Sequence, residues 1–498
     1  MKTILITSLT CLIILFSTAT YPQTATEPLG SGTTQFPYLI NNLENLYWIA
    51  ASDAVVTDPP QSVRWAAHYE QTAIIDASDT YTWFGGAGFP SIGNLASNFT
   101  GSYNGSGFTI NNLYMNNNID YLGLFGFLGS TGSVSNLQLM SPTVNGNDNV
   151  GGLAGFSEGG ISNCAVNGGW IDGNENVGGL IGCNTNSVNK CYTELSGGND
   201  IEGVSKTGGL TGRNDGTINN CFSHSTVNGQ DFTGGLVGYN YSSGNIDHCY
   251  STGSVGGNSD VGGLVGYNFS GDVDYSFWNI ITSNQPTSSG GTGLYTGEMQ
   301  EAGTYLSEGW DFTLSGDIWA MNDSYNNGYP YFRWQGMTSA HIWLGTTSTD
   351  WSTAGNWSEN SIPSEKVIIP DAIATDDAVL AGDATSTISQ LKVETNGSLT
   401  IQSASSGTGS LIVTGSSSGN VNVQRYLDVS TKSPKWHYVS SPVSGVDIDD
   451  DFMTGNSIYS PNGGTNYNFY RWDEDTDYWI IYGSTGDPEA FNDATFLN

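Results

Sequence analysis

Basic residues are scarce in this sequence. Its 498 residues include 12 Lys and Arg against 47 Asp and Glu, which gives a formal net charge of −35 at pH 7. Such a chain repels the phosphates of nucleic acids and the headgroups of anionic membranes, so we expect no nucleic-acid partner and no anionic membrane surface. An acidic surface keeps a large exported protein soluble and holds cations weakly. We therefore expect no cofactor beyond loosely bound calcium.

Catalytic motifs are also lacking. Five histidines occur, and they never form the His-Glu-x-x-His pattern of a metallopeptidase helix. Between 118 and 280 the cations are Lys190, Lys206 and Arg213, and none lies in a motif like the proton acceptor of a uronate lyase. Aspartates are frequent, but they fall in turn-like segments where Asp is favoured for local reasons. We predict no catalytic residue and no metal site, so an enzyme is not favoured.

Long apolar runs are absent after the N-terminus. The stretch ILITSLTCLIILF (4–16) follows Lys2 and precedes small residues, which is the pattern of a secretory signal peptide. It is shorter than the about 20 residues that a membrane span needs. We predict a signal peptide over 1–25, no transmembrane segment in the mature chain, and a secreted or cell-surface location.

Glycine and aromatic residues are abundant instead. The chain has 67 Gly, 37% hydrophobic residues and 12% aromatic residues. This apolar content is too high for a disordered chain. Helix formers such as Lys, Arg, Gln and Glu are few, whereas Val, Ile, Thr, Tyr and Trp are plentiful. The composition therefore predicts an all-β protein with many turns.

One five-residue phrase recurs along the middle of the chain. The copies are GGLAG (151–155), GGLIG (178–182), GGLTG (208–212), GGLVG (234–238) and GGLVG (262–266). Their first residues are 27, 30, 26 and 28 positions apart. A second phrase follows each copy and has a cysteine in four of the five rows: Cys164, Cys191, Cys221 and Cys249. Self-similarity at such a period is typical of a solenoid.

Each repeat contains two or three short β-like runs and leaves no room for a helix. We predict a parallel β-helix with repeats of about 27–30 residues, each forming one coil about 4.8 Å from the next. Equivalent residues would then form ladders along the axis. The interior ladder would consist of Leu153, Leu180, Leu210, Leu236 and Leu264. The flanking glycines would allow tight corners and close backbone approach: Gly151, Gly155, Gly178, Gly182, Gly208, Gly212, Gly234, Gly238, Gly262 and Gly266.

The four aligned cysteines are predicted to form a second ladder. A buried free cysteine packs as a small apolar residue, and Leu137 or Ser276 at the same position in the end rows fits this role. Disulfides between neighbouring coils are an alternative, although parallel Cα–Cβ bonds suit the bridge poorly. A cysteine-bound metal is disfavoured because no Cys-x-x-Cys pair occurs.

The phrases GGLVGYN and INNCFS resemble the GLUG repeat, which occurs in bacterial surface proteins, adhesin-like proteins and some IgA-specific metallopeptidases. The resemblance extends upstream to PYLINNLENLYWIAA (37–51) and downstream to GWDFTLSGDIWAMNDSYNNGYPYFRWQ (309–335). It covers about 300 residues and implies architecture rather than chemistry, since proteins with this repeat share no single activity.

The chain after Gln335 has a different composition. Short alternating strands with Asn-Gly and Ser-Gly turns resemble modules of multidomain proteins exported by the type IX system. Near the end, Asp473, Asp475 and Asp477 begin like a calcium loop. The later Gly and Glu that such a loop requires are missing, so we predict a hairpin turn there.

These observations predict six segments. They are a signal peptide (1–25), a leading segment that caps the solenoid (26–117), GLUG-like repeats in a β-helix (118–280), a C-terminal closing segment (281–336), an all-β module (341–428) and a second β module, interpreted as truncated, over 429–498.

The predicted function is adhesion, scaffolding or extracellular binding, without catalysis. The position after each GGLxG phrase carries Phe156, Cys183, Arg213, Tyr239 and Tyr267, and the aromatic members Phe156, Tyr239 and Tyr267 are the predicted binding residues. In GGLVGYN we expect both the Tyr and the Asn to face outward. The expected partner is an extracellular glycan or the surface of a host or neighbouring cell. Alternatives are a polysaccharide-binding or polysaccharide-degrading β-helix, or a non-catalytic extension of a larger exported enzyme.

Overall fold

Parallel strands stacked in five sheets make up most of the molecule. The computed structural model describes residues 23–195, 200–371, 376–404, 407–424, 470–473 and 478–481. The predicted signal peptide lies almost entirely outside these residues, as does most of the second β module. From Ser133 to Asn268, each coil passes through the sheets in the same order, which we name S1 to S5. The predicted all-β fold with a parallel β-helix is confirmed.

The strands of each sheet pair in parallel with the equivalent strands of the neighbouring coils. S1 contains Tyr38–Ile40, His68–Gln71, Ser102–Asn104, Ser133–Ser135, Gly160–Ser162, Ser187–Asn189, Thr217–Asn219, Asn245–Asp247 and Asp272–Asp274. S2 contains Ile75–Asp76, Thr109–Asn111, Gln138–Met140, Ala165–Asn167, Tyr192–Glu194, Phe222–Ser223, Tyr250–Ser251, Phe277–Asn279 and Thr292–Leu294. The ladders therefore extend beyond the sequence repeat on both sides.

The other three sheets begin later in the chain. S3 contains Tyr114–Asn116, Thr143–Asn145, Trp170–Asp172, Ile201–Glu202, Val227–Asn228 and Val255–Gly256. S4 contains Val150–Gly151, Glu175–Gly178, Ser205–Gly208, Asp231–Gly234 and Ser259–Gly262. S5 contains Phe125–Leu128, Ala154–Ser157, Ile181–Asn184, Thr211–Asn214, Val237–Asn240 and Val265–Asn268.

Short helices and loops close the two ends of the solenoid. The described helices are Leu43–Ala50, Gln61–Arg64, the kinked 3-10 segment Ser78–Gly86, Ile280–Ser283, Thr296–Met299, Ala302–Leu306, and the 3-10 turns Asn326–Gly328, Arg333–Gln335 and Ala354–Asn356. Asn42 caps the first of them, because its side chain accepts a hydrogen bond from the Asn45 amide at 2.8 Å. No described helix combines the length and apolar character that a membrane crossing needs.

The tail strands also pair mostly in parallel. One sheet joins His341–Ile342, Lys366–Ile369, Gln390–Val393 and Ser417–Ser418, and a second joins Ala378–Leu380, Leu399–Ile401 and Asn422–Val423. Thr385–Ile388 pairs in parallel with Ser410–Val413. Three antiparallel pairs are Trp319–Ala320 with Tyr331–Phe332, Ser403–Ala404 with Gly407–Thr408, and Tyr470–Asp473 with Tyr478–Ile481. The last of these pairs flanks the predicted hairpin turn, whose Asp475 and Asp477 lie outside the described residues.

The interior of the repeats is formed by the predicted leucines. All five have no exposed surface. The first glycine of each phrase lies against a carbonyl three residues later. A Cβ on Gly234, for example, would lie 2.0 Å from the oxygen of Val237, and one on Gly178 would lie 2.1 Å from that of Ile181. Contacts this short exclude any larger residue at these positions.

The aligned cysteines are buried beside the leucines and carry free thiols. The amide of Cys164 donates to Sγ of Cys191 at 3.4 Å, and the amide of Cys221 donates to Sγ of Cys249 at the same distance. Each thiol also donates to the carbonyl two residues before it, as Cys191 does to Asn189 at 3.3 Å. Burial raises the pKa of the Cys164, Cys191 and Cys221 thiols well above the ordinary value.

An asparagine ladder runs along the end of S5. It consists of Asn184, Asn214, Asn240 and Asn268, of which the first three have no exposed surface. Each amide nitrogen donates to the next amide oxygen, at 2.8 Å from Asn184, 2.9 Å from Asn214 and 3.1 Å from Asn240. The expectation that the Asn of GGLVGYN faces outward is therefore wrong for Asn240. The side-chain amide of Asn240 points inward, where it also donates a hydrogen bond to the carbonyl oxygen of Gly244.

The corner between S1 and S2 has a left-handed backbone in every repeat. The residue before each aligned cysteine has a positive φ: 52° at Asn163, 54° at Lys190, 49° at Asn220 and 50° at His248. Asparagine tolerates this conformation better than most residues, which accounts for its frequency at this position.

We expect native protein to resist thiol reagents and unfolded, unreduced protein to react at all five described cysteines. All five thiols are buried, and the raised pKa of Cys164, Cys183, Cys191 and Cys221 leaves those four with little thiolate, the reactive form. Iodoacetamide labelling with peptide mass spectrometry measures this. A single reactive thiol in the unfolded, unreduced protein would show that the cysteines pair and that the free-thiol ladder is wrong.

We expect Asn214→Ala to lower the free energy of unfolding by about 3 kcal/mol, because the amide groups of its ladder neighbours lose buried hydrogen-bond partners. Urea denaturation measures the change. Asn228→Ala is the matched control, since Asn228 lies on a strand but is exposed, and its effect should stay within about 0.5 kcal/mol. Equal effects of the two changes would contradict a stabilising role for the ladder.

Candidate binding face

The three predicted binding residues occupy one column of S5 but form two separate groups. Register partners along this column are Phe127, Phe156, Cys183, Arg213, Tyr239 and Tyr267. Phe156 stacks on Phe127 with ring centroids 4.7 Å apart. Tyr239 stacks on Tyr267 at 5.3 Å. Cys183, which is buried, and Arg213 separate the two groups, so Phe156 does not reach the tyrosines.

Tyr239 and Tyr267 belong to a larger cluster that we call the aromatic face. Its members are Phe232, Tyr239, Tyr241, Tyr267 and Phe269. Tyr241 stacks on Phe269 at 5.6 Å and on Tyr239 at 6.0 Å. Phe232 meets Tyr239 and Tyr267 edge to face at 5.6 and 5.4 Å. Tyr241 and Phe269 are 38% and 46% exposed, so the cluster is open to solvent.

Sequence reasoning missed Tyr241 and Phe269. Both lie two residues after a predicted position, and residues two apart on an extended segment project to the same side. That spacing was the available signal. It was obscured because the two residues lie just beyond the strands Val237–Asn240 and Val265–Asn268.

Two of the few cations support the rings from the preceding coil. The Arg213 guanidinium lies 4.9 Å from the ring centre of Tyr241 and donates to Asp215 through Nε at 2.8 Å and a terminal nitrogen at 2.7 Å. Lys206 lies 5.6 Å from the ring centre of Tyr239 and pairs with Glu175. The hydrogen bonds to Asp215 are the main reason that the pKa of Arg213 is raised. Both cations are thus fixed by carboxylates while they contact aromatic faces.

This stacking decides which ring surfaces are free. Tyr239 and Tyr241 lie between a cation and the next ring, so their faces are occupied. Tyr267 and Phe269 are the last rings of the two stacks; Tyr267 is half-buried and Phe269 is 46% exposed. A planar apolar surface of this kind suits the C–H face of a sugar ring. Phenolic hydroxyls and the Asp215 and Glu175 carboxylates supply hydrogen-bonding groups nearby.

A second aromatic ladder lies on S2 and is covered. It consists of the residues that follow the aligned cysteines or Ser276: Tyr192, Phe222, Tyr250 and Phe277. Centroids are 4.7 Å apart between Tyr192 and Phe222 and 5.0 Å between Phe222 and Tyr250. The closing segment packs over this ladder with other buried aromatic residues, among them Trp310, Trp319 and Phe332. These rings form the buried contact between S2 and the closing segment, so they are not free to bind a ligand.

His224 lies within that covered contact. Its Nε2 lies 3.3 Å from the Tyr250 hydroxyl, and its Nδ1 bonds to the Thr252 hydroxyl. Burial lowers the pKa of His224 to about 4, so the imidazole is neutral at neutral pH. Among the described residues, no group of three or more His, Cys, Asp or Glu side chains is placed to hold a metal ion.

Parts of this chain are similar in sequence to known proteins. Residues 233–256 match the family described as the GLUG motif. A segment of 132 residues is 38% identical to halomucin of Haloquadratum walsbyi, and it covers 26% of this chain and 1% of halomucin. A segment of 111 residues is 32% identical to a protein of Evansella cellulosilytica named "Putative Gly-rich membrane protein", and it covers 22% of this chain and 12% of that protein. The matches thus span only a small part of either relative.

A crystal structure titled as a "putative immunoglobulin A1 protease" from Bacteroides ovatus aligns with 61% of this chain and 94% of its own, at 20% identity and a TM-score of 0.44. Likeness at that level carries no conclusion about activity. The GLUG resemblance is confirmed, whereas the type IX resemblance of the tail stays a prediction. The matched motif includes Tyr239 and Tyr241, so part of the aromatic face lies inside a GLUG repeat.

We expect acid to loosen the closing segment through His224. Its folded-state pKa of about 4 lies below the unfolded value of about 6.5. The stability it contributes is therefore present above pH 6.5 and is lost as the pH falls towards 4. Relative to His224→Gln, which does not titrate, the parent should lose about 2.5 kcal/mol of unfolding free energy between pH 7.5 and 4.5. Urea unfolding followed by tryptophan fluorescence measures it, and a pH-independent difference would contradict the assignment.

Proposed function

We propose that this GLUG-repeat β-solenoid acts outside the cell as an adhesion or scaffolding protein and binds a neutral polysaccharide through its aromatic face. The observation that carries the proposal is the pair of ring stacks that end in Tyr267 and Phe269. A rigid scaffold holds these rings, so little side-chain entropy is lost on binding.

The charge of the chain selects the class of glycan. At −35, the protein repels polyuronates and sulfated polymers, and its two cations on the aromatic face are already paired with carboxylates. A neutral polymer has no such penalty. The proposed location outside the cell is supported by the signal-like N-terminus and by the surface or membrane character that the names of the two relatives indicate.

We expect affinity electrophoresis in gels that contain neutral polysaccharides to retard the protein with at least one polymer, and gels that contain alginate or pectate to leave it unretarded. The double change Tyr267→Ala and Phe269→Ala should weaken the retardation about tenfold or more, because each stacked ring contributes about 1 kcal/mol. Phe36→Ala is the matched control, since Phe36 is exposed but distant from the aromatic face. Undiminished retardation of the double variant would overturn the role of the face.

A polysaccharide-degrading protein is the second candidate, and one observation favours it. Asp172 and Glu202 occupy equivalent positions on neighbouring coils of S3. Burial, and then the charge of Glu202, raise the pKa of Asp172, and glycosidases use such carboxylate pairs. Release of reducing ends from a bound polymer, abolished by Asp172→Asn, would establish this function in place of simple binding.

A further inference from the structure

An apolar cleft lies at the other end of the solenoid. Its volume is about 750 Å³, within the range of small-molecule sites. It opens between the helix Leu43–Ala50, the loop from 84 to 96 and the loop from 117 to 122. Nothing in the sequence predicted it, because its walls come from short helices and loops outside the GLUG phrases.

The walls of this cleft are apolar. Tyr47, Trp65 and Phe89 are buried in its floor and sides. Around its mouth stand four large apolar residues with substantial exposure: Val55 (52%), Phe84 (51%), Leu95 (63%) and Ile119 (45%). Several such residues exposed around one concavity mark a binding site more often than chance exposure.

Polar side chains of the lining are mostly used within the protein. Gln61 donates through Nε2 to the carbonyls of Ala50 and Ala51, both at 3.2 Å. Trp65 donates through Nε1 to the carbonyl of Ile49 at 3.0 Å. Ser91 donates to the carbonyl of Gly123 at 2.8 Å. The interior of the cleft therefore offers contact area rather than hydrogen bonds, unlike a typical sugar site.

One charged residue stands at the rim. Asp120 is the single ionisable acid or base among the described residues that line the cleft, apart from its tyrosines. Its Oδ1 accepts from the Asn147 side chain at 2.6 Å and from the Asp148 amide at 3.4 Å, which holds the carboxylate in place. The fixed negative charge beside an apolar cleft favours a ligand with a positive or neutral polar end.

We propose that this cleft binds a small amphiphilic molecule, with its apolar body between the exposed residues at the mouth and a cationic or uncharged head beside Asp120. The strongly acidic protein discriminates against anionic amphiphiles. This site is separate from the aromatic face and does not depend on the glycan proposal.

Three fluorescent probes of similar size test the proposal on the full chain. They are the neutral N-phenyl-1-naphthylamine, a cationic trimethylammonium diphenylhexatriene and the anionic 1-anilinonaphthalene-8-sulfonate. We expect saturable binding of the first two and weaker binding of the third. Asp120→Asn should raise the dissociation constant of the cationic probe about threefold and leave that of the neutral probe unchanged. Asp260→Asn removes the same charge from an exposed residue at the far end and should change neither.

Substitutions at the mouth of the cleft test where the apolar part of the ligand binds. Leu95→Ser and Ile119→Ser should each weaken the neutral probe about threefold, and both positions are exposed, so folding is preserved. Ile281→Ser is the control, because Ile281 is 60% exposed and lies outside the cleft. Failure of every probe to saturate, anionic binding as tight as cationic binding, or equal effects of Ile281→Ser and Leu95→Ser would overturn the proposal. Loss of polysaccharide binding in Tyr267 and Phe269 variants would leave this outcome unaffected.

Discussion

The in-register parallel pairing of successive coils is the constraint on which the rest of the molecule depends. Because Leu180 lies over Leu153 and Cys191 over Cys164, any residue type that suits one coil must also tolerate its own kind about 4.8 Å away. Leucine, cysteine and asparagine meet this condition in different ways. Leucine packs, the thiol accepts a backbone N–H from the coil before, and an asparagine accepts from the previous asparagine and donates to the next.

The same constraint governs the outer surface, where identical charges stack unfavourably. Asp172 lies beside Glu202 on the next coil. Burial and the nearby charge of Glu202 both raise the pKa of Asp172, which shows that stacking two carboxylates is unfavourable. Glu175 is instead neutralised by an ion pair with Lys206 on the next coil, and this lysine also contacts the ring of Tyr239. Other acidic side chains lie beside asparagine, as in the hydrogen bond that Asn174 donates to Asp148 at 2.8 Å. Aromatic rings have no such conflict, so they can form ladders wherever they recur.

Sequence periodicity was enough to predict the coil, its interior leucines and the column that holds Tyr239 and Tyr267. It failed for Asn240 because adjacent residues of the strand Val237–Asn240 face opposite sides, so an outward Tyr239 places Asn240 inside. The role of Phe222 and Tyr250 was also missed, since it depends on the closing segment folding back over S2. The N-terminal cleft could not be predicted, because it is formed by a helix and loops that do not repeat, and their packing depends on the whole end of the solenoid.

The column of S5 connects the two candidate sites. Tyr121, which lines the cleft, contacts Phe127 and Phe156 at 5.9 and 6.1 Å, and these rings begin the column that Tyr267 ends. Five coil steps separate Phe127 from Tyr267, which corresponds to about 24 Å along the axis. The intervening coils carry buried Cys183 and the paired Arg213, so they act as a spacer without an exposed ring at this position. A solenoid keeps this distance fixed, because each coil pairs with its neighbours through its strands. Insertion or loss of a repeat would therefore change the distance between the sites while leaving the chemistry of each end intact.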